Sequence, residues 1–282
     1  MNNENDLFKK FFEGYSKNVD NASSQFFWRL SDEIILAIIS KHIKSDISEE
    51  AVILDAGGGT GRWIQVLSKI YPSNFVLYDK SEDMLGVAHK KEELQKLGNR
   101  LKIIQGDIQD MKNLKDESID YLISIYNPIS FVEEPVLFFK EVKRILKNGG
   151  VGLIMGQGLP NAIASKINNY LADPPELKNL DKDEAVRWSS SLSPLKVFSK
   201  ESFKKLADES RLKVIKTYGV PVFVQPGSED FDSENKLKSR LSLKLESDQK
   251  YYKTVFELEM KYNSREYMVN RGMNLLIVVQ NK

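Results

Sequence analysis

The chain has 282 residues, of which 41% are hydrophobic, with 41 Lys plus Arg against 40 Asp plus Glu. That length and apolar content support a large core, and the near-zero charge balance leaves no broad electrostatic footprint for non-specific nucleic-acid binding. There is no Cys, which excludes disulfides, thiolate metal sites and Cys nucleophiles, and only two His, His42 and His89, which speak against a His-rich metal centre. The N-terminus is polar and acidic, and no apolar run reaches the roughly 18 residues of a membrane span, so a cytoplasmic protein is expected.

Leu7, Phe11 and Tyr15 recur at helical spacing and predict a first helix over 7–15. A polar, turn-rich stretch follows. Phe27, Leu30, Ile34, Ile38 and Ile39 then predict a second helix over 26–43 with these residues facing inward. Residues 1–50 together read as an N-terminal helical cap.

From residue 51 strands and helices alternate. Strands are expected near 51–56, 74–79, 101–105, 119–126 and 150–156, and helices near 61–71, 82–97 and 134–147. Such alternation argues for an α/β fold with a mostly parallel, doubly wound sheet. Residues 51–156 read as its core. The rhythm breaks over 157–196, a Pro-containing helical insertion with a helix near 161–172. Residues 197–282 complete the sheet. They hold a helix over 199–210, a strand over 212–224 with Pro221 marking an edge or bulge, and a final strand over 273–280. Leu237, Leu241 and Leu245, then Tyr252, Phe256 and Met260, predict two helices or one broken helix.

In an open parallel sheet, ligands bind beyond the carboxyl ends of the strands. The first strand, Val52-Ile53-Leu54-Asp55, runs into Ala56-Gly57-Gly58-Gly59-Thr60-Gly61 and then a helical pattern. A loop almost free of side chains lets a ligand approach the backbone. Four glycines in five residues exceed what an ordinary strand-to-helix turn needs. The second strand ends in Asp79, 18 residues after Gly61, where a carboxylate can accept from both hydroxyls of a ribose. The third strand is followed by Gly106-Asp107-Ile108 and the fourth ends in Tyr126-Asn127-Pro128. A dinucleotide fingerprint requires a third glycine beside the pyrophosphate, and Arg62 stands there instead.

Asp55-Ala56-Gly57-Gly58-Gly59-Thr60-Gly61, Asp79, Gly106-Asp107-Ile108 and Arg144-Ile145-Leu146-Lys147-Asn148-Gly149-Gly150, in this order, resemble the class I S-adenosylmethionine-dependent methyltransferases. The similarity is to the type 11 group of small-molecule enzymes. It covers residues 50–156 well, and 197–282 only in pattern. Asn148 stands where Pro is usual, and Phe131 where relatives often carry His. The resemblance implies a seven-stranded Rossmann-like sheet and S-adenosyl-L-methionine as cofactor. It implies that Gly57, Gly59 and Gly61 let the methionine part lie against the backbone, and that Asp55 orients the loop and favours the ammonium group. Asp79 would bind the ribose. Asp107 and Ile108 would meet the adenine, flanked by Lys80 and Met84. Tyr126 and Asn127 would lie beside the sulfonium. An N-terminal helix closes over the cofactor in the family and brings a Tyr to it, which makes Tyr15 the candidate here.

Blander roles remain open for several of these residues. Asp79 and Asp107 can each cap a helix, which is compatible with ligand binding. Tyr126 can be a packing residue, the stripe Leu7, Phe11 and Tyr15 can be core, and Trp63 is expected to pack under the sheet. Methyl transfer from a sulfonium requires chiefly positioning and exclusion of water, and no motif marks a general base. The acceptor should lie between the sheet end, the cap and the insertion. There Phe27, Arg29, Arg187 and Trp188, with Trp28 and Tyr170 nearby, offer aromatic walls and cations for a planar or acidic small molecule. A peptide or RNA acceptor, or a non-catalytic binder of the cofactor, is the alternative. The absence of an Asn-Pro-Pro-Tyr sequence at 127–130 and the neutral charge weigh against nucleic acid.

Overall fold

The computed structural model describes residues 20, 25–189, 192–231 and 236–282. The helix expected over 7–15, with Tyr15, lies outside the described residues. Helix α1 (Phe26–His42) leads into β1 (Val52–Ala56), α2 (Arg62–Leu67), β2 (Asn74–Asp79), α3 (Glu82–Lys90), α4 (Glu92–Gln95), β3 (Leu101–Gln105) and β4 (Ile119–Ser124). Then come α5 (Pro135–Ile145), β5 (Leu146–Gly158), α6 (Leu159–Asn168), α7 (Pro174–Asp183), β6 (Ala185–Val186), β7 (Leu195–Phe198) and α8 (Lys200–Glu209). The chain closes with β8 (Lys213–Val220), α9 (Arg240–Ser247), α10 (Gln249–Tyr262), α11 (Glu266–Val269) and β9 (Asn274–Gln280).

The main sheet runs β3-β2-β1-β4-β5-β9-β8, with β9 antiparallel to both neighbours and every other pairing along β3 to β5 parallel. The sequence predicts seven strands, and the described residues hold nine. The additional pair, β6 and β7, lies at the end of the 157–196 insertion and just past it, where β7 pairs in parallel with Gln157 and Gly158 of β5. Two-residue and four-residue strands carry too little periodicity to be read from sequence.

Strand order reverses beside β1, which lies between β2 and β4. Alternation along each strand covers both faces. On β9, Leu276 and Val278 join the cluster that holds α1 to α3, while Leu275, Ile277 and Val279 join the cluster that holds α5 and α8. Helix α1 is part of this core. Phe27, Leu30, Ile34, Ile35, Ile38 and Ile39 are all fully buried, against the sheet and against Leu241, Leu245 and Phe256 of α9 and α10. The insertion has its own small core of Ala162, Leu180, Val186, Leu192, Leu195 and Val197, with Phe131 and Trp188 packed against it.

Several boundaries move for local reasons. The helix expected over 82–97 divides at Lys91, whose backbone is extended. The strand expected over 212–224 stops at Val220, because Pro221 has no N–H to donate to β9; the register shift lies earlier, between Val214 and Lys216. The edge position expected from Pro221 holds, since β8 pairs only with β9. The helices predicted from the 237–260 repeats are two, joined at Asp248, whose side chain caps α10 by accepting from Tyr251 N.

Beyond Pro221 the chain is held by one carboxylate. Glu259 of α10 is fully buried and accepts from the backbone N–H groups of Val222 at 2.7 Å, Phe223 at 2.9 Å and Val224 at 2.9 Å. Glu259→Gln would turn an NH2 toward these donors. The expected outcome is a loss of about 1–3 kcal/mol in stability, measured by urea unfolding.

Candidate functional site

The glycine loop is tied to β2 by its own amides. Gly57 N and Gly58 N donate to Tyr78 O at 2.7 and 3.3 Å, and Gly59 N donates to Asp79 Oδ2 at 2.8 Å. Gly61 N donates back to Gly58 O at 2.9 Å. Left-handed backbone at Gly57 (φ +74°) and Gly59 (φ +55°) makes this turn accessible without side-chain clash. A Cβ on Gly57 would stand 2.4 Å from Pro128, whereas one on Gly59 would meet only the Met84 sulfur, at 3.7 Å. The loop is therefore packed at Gly57 and open at Gly59.

Two carboxylates lie under and beside it. Asp55 is buried, and its Oδ2 makes no hydrogen bond within the protein. Burial, and then the neighbouring Asp79, push its pKa up to about 8, while Arg62 pulls the other way. Asp79 accepts from Gly59 N through Oδ2 and from Ser81 N through Oδ1, and burial still raises its pKa above the ordinary carboxylate value. Each Asp79 oxygen retains a further lone pair for an incoming hydroxyl.

At the end of β3, Asp107 is half-buried. Burial opposes its charge, yet hydrogen bonds from Gln109 N at 2.9 Å and Lys80 Nζ at 3.0 Å hold its pKa below the ordinary value. Ile108 and Met84 are buried beside this edge, and Lys80 is exposed. So the structure brings Asp55, Gly57, Gly59, Gly61, Asp79, Lys80, Met84, Asp107 and Ile108 together at the carboxyl ends of β1, β2 and β3.

The end of β4 is unusual. Tyr126 (φ +62°) and Asn127 (φ +71°) are consecutive non-glycine residues in the left-handed region, each costing about 1–2 kcal/mol. Side-chain hydrogen bonds hold both. Asn127 Nδ2 donates to Asn274 Oδ1 at 2.9 Å, and Tyr126 Oη donates to Asp32 Oδ1 at 2.5 Å. Asp32 projects from α1 and also accepts both guanidinium nitrogens of Arg62, at 2.5 and 3.1 Å. Burial and the Asp32 charge raise the Tyr126 phenol well above its ordinary pKa, so it acts as a donor and not as a base. Arg62 lies 5.2 Å from the Tyr126 ring centre and 5.3 Å from that of Trp63. Thr60 Oγ1 donates to Asp20 Oδ1 at 2.9 Å, a second acid from before α1 on the same loop.

The expected acceptor residues divide. Phe27 is core: it is fully buried, and Trp28 takes the position facing Tyr126, with ring centres 5.9 Å apart. The reason is helical phase, since Phe27 shares the inward face with Leu30 and Ile34 while Trp28 shares its face with Asp32. Trp28 also lies 5.7 Å from Phe231 and donates Nε1–H to Asp230 O at 2.7 Å, fixing the wall formed by the 228–231 turn. Arg29 is exposed and its guanidinium lies over the Phe26 ring at 4.6 Å. Arg187 is exposed and donates to Leu192 O. Trp188 donates to Gln157 Oε1 at the end of β5, 2.9 Å away.

Of the functional candidates now visible, Asp32, Phe231 and Asn274 carried no sequence signal beyond the Trp28–Asp32 spacing of four. The two histidines stand apart. His42 pairs with Tyr218 Oη at 2.9 Å, with its pKa lowered by burial and Lys41, and His89 is exposed.

A sheet of this order with a glycine-rich first loop, and an acid ending its second strand, defines a Rossmann-like cofactor-binding fold. Residues 53–150 match a family model described as a methyltransferase domain. Residues 53–150 thus carry a methyltransferase domain. Among solved structures it is similar to a chain of the Haloferax volcanii complex of the Trm112 methyltransferase activator (TM-score 0.58, 14% identity, 95% of this chain and 96% of that one). It is also similar to Streptomyces coelicolor geranyl diphosphate C-methyltransferase, solved with Mg2+, geranyl diphosphate and S-adenosyl-L-homocysteine (0.55, 11%, 89% and 79%). A third similar structure is a Thermotoga maritima SAM-dependent methyltransferase (0.53, 19%, 95% and 98%). At these identities the likeness is one of fold. No curated protein matches by sequence.

Two outcomes check the loop geometry. Gly57→Ala should destabilise the protein by more than the roughly 1–2 kcal/mol of a left-handed alanine, because Pro128 must also move, whereas Gly86→Ala, mid-helix with open space around it, should gain about 0.5–1 kcal/mol. Thermal unfolding of the two variants measures both.

Asp55 supplies a further prediction. With a folded pKa near 8 against a reference of 3.8, the folded state holds the proton more tightly than the unfolded one. That contribution to stability is complete below about pH 4 and is lost as pH rises to about 8. Asp55→Asn should flatten this fall in a pH series of melting temperatures.

Proposed function

We propose that the crevice holds S-adenosylmethionine with its amino-acid end against the open face at Gly59, and that the methyl group passes to a small-molecule acceptor. The observation that carries this is the state of the loop. The amides of Gly57, Gly58, Gly59 and Gly61 are all spent within the protein, and the groups beneath are the acids Asp55 and Asp79. A phosphate would meet no free donor from these glycines and two acids. A cation would meet the Asp79 carboxylate and would favour ionisation of Asp55, which burial otherwise holds protonated up to about pH 8. The residues therefore suit a ligand with an ammonium group and an adjacent sulfonium.

In this arrangement Asp79 accepts the ribose hydroxyls, Asp107 and Ile108 bound the adenine edge with Lys80 and Met84 flanking it, and Tyr126 and Asn127 border the reacting end. Bound S-adenosylmethionine supplies a methyl group on a leaving group that departs neutral, which suits an in-line displacement. The protein's part is to orient the acceptor and exclude water. Trp28, Tyr126 and Phe231 form a fixed aromatic wall on one side, and Trp188, held by Gln157, stands at the end of β5 on the insertion side. Such walls fit a planar or apolar small molecule. No base is assigned, so the acceptor nucleophile arrives unprotonated or loses its proton to solvent. The chain thus divides into an N-terminal cap over 1–50, the cofactor core over 51–156, a substrate-side insertion over 157–196 and a C-terminal completion over 197–282. Among the described residues no helix is long and apolar enough to cross a membrane.

A macromolecular acceptor, peptide or RNA, is the second reading. An acceptor screen with methyl-labelled cofactor separates the two. Label should enter pools of small molecules and not RNA or peptides; the reverse would reject the small-molecule reading. Asp79→Ala should weaken S-adenosylmethionine binding at least about tenfold, since a carboxylate hydrogen bond contributes roughly 1.5–3 kcal/mol; unchanged affinity in calorimetry would show that Asp79 does not hold the ribose.

A further inference from the structure

Arg62 places a full positive charge beside a site whose proposed ligand is itself cationic. It follows Gly61 directly, and its charge acts on Asp55. Left to itself, it would compensate the buried acids and remove the attraction for an ammonium or sulfonium group. The structure shows what offsets this charge. Asp32, four residues along α1 from Trp28, binds Arg62 through both oxygens, at 2.5 and 3.1 Å, and both side chains are about one-fifth exposed. Burial alone would weaken the Arg62 charge, but Asp32 and then Tyr126 more than offset it and keep the guanidinium protonated. The same Asp32 Oδ1 accepts from Tyr126 Oη, which fixes the ring of a residue in left-handed backbone at the end of β4. Neither the loop motif nor the strand-end acids include Asp32.

We propose that Asp32 is a positioning residue for the cofactor site: by neutralising Arg62 it keeps the crevice net negative, and by holding the Tyr126 hydroxyl it sets the wall at the methyl end. This rests on the cofactor placement proposed above. It distinguishes the cationic donor from the product, because S-adenosylhomocysteine has lost the sulfonium charge and S-adenosylmethionine carries it. Charges a few ångströms to about 10 Å apart at a partly exposed site interact strongly enough to shift binding by about tenfold.

The test measures the affinities of S-adenosylmethionine and S-adenosylhomocysteine by calorimetry on the full chain. For Asp32→Asn the expected result is S-adenosylmethionine binding weakened by about tenfold or more, with S-adenosylhomocysteine changed distinctly less, so that the affinity ratio of donor to product falls. Asp32→Glu, which restores the charge, should recover most of that ratio. An unchanged ratio, whether both affinities fall together or neither does, overturns the proposal, because a purely structural role affects the two ligands alike. Should Asp32→Asn fail to fold, Asp32→Glu and Arg62→Gln keep the test decisive. Removing the Arg62 charge should raise the ratio above that of the unaltered protein, and a fall or no change would overturn it. Absence of binding by the unaltered protein would reject the cofactor placement itself, and with it the role given to Asp32; intact binding with an unmoved ratio in the variants rejects that role alone.

Discussion

The site depends on how one short loop uses its amides. Between β1 and α2 the chain turns through four glycines, and their N–H groups point back to Tyr78 O, the Asp79 carboxylate and Gly58 O. A glycine loop is usually thought of as a supply of free donors for an anion. Here the donors are consumed in binding β1 to β2, and Asp55 is left beneath with an unpartnered oxygen. Burying carboxylates with little direct compensation costs stability. Burial therefore holds Asp55 protonated up to about pH 8, and a positive charge placed beside it would favour the ionised form. The parallel β1–β2 pairing brings the two acids together, and sheet order places the reversal point beside them.

The second organising feature is α1. Its inner face is as deeply buried as any strand, so it is fixed to the sheet by apolar packing. Its Trp28–Asp32 face then carries polar and aromatic contacts to three separate parts of the chain: Arg62 after the glycine loop, Tyr126 after β4, and Asp230–Phe231 in the C-terminal part. One helix thus sets the relative positions of the glycine loop and of the aromatic wall. Two left-handed residues in succession at the end of β4 would be unfavourable in isolation. They persist because Asp32 and Asn274, far apart in sequence, each hold one of them.

The sequence by itself determined the α/β class, the five central strands, the glycine turn and the acids Asp55, Asp79 and Asp107. Each of these is a local signal: alternation of apolar periods, a residue type that only a left-handed turn requires, a charged residue directly after an apolar run. The β6–β7 pair was not legible, because a two-residue strand has no period to detect. Periodicity placed Phe27 on the inward face of its helix, and it is core; that Trp28 then faces Tyr126 depends on which element packs beside that helix. The roles of Asp32, Phe231 and Asn274 were decided only by tertiary structure, since their partners lie on other elements, up to about 200 residues away for Trp28 and Asp230. Periodicity reports what a residue's neighbours in the chain require. The charge balance around Arg62 and the aromatic wall arise from residues that meet only after the sheet has formed, and no local pattern encodes that meeting.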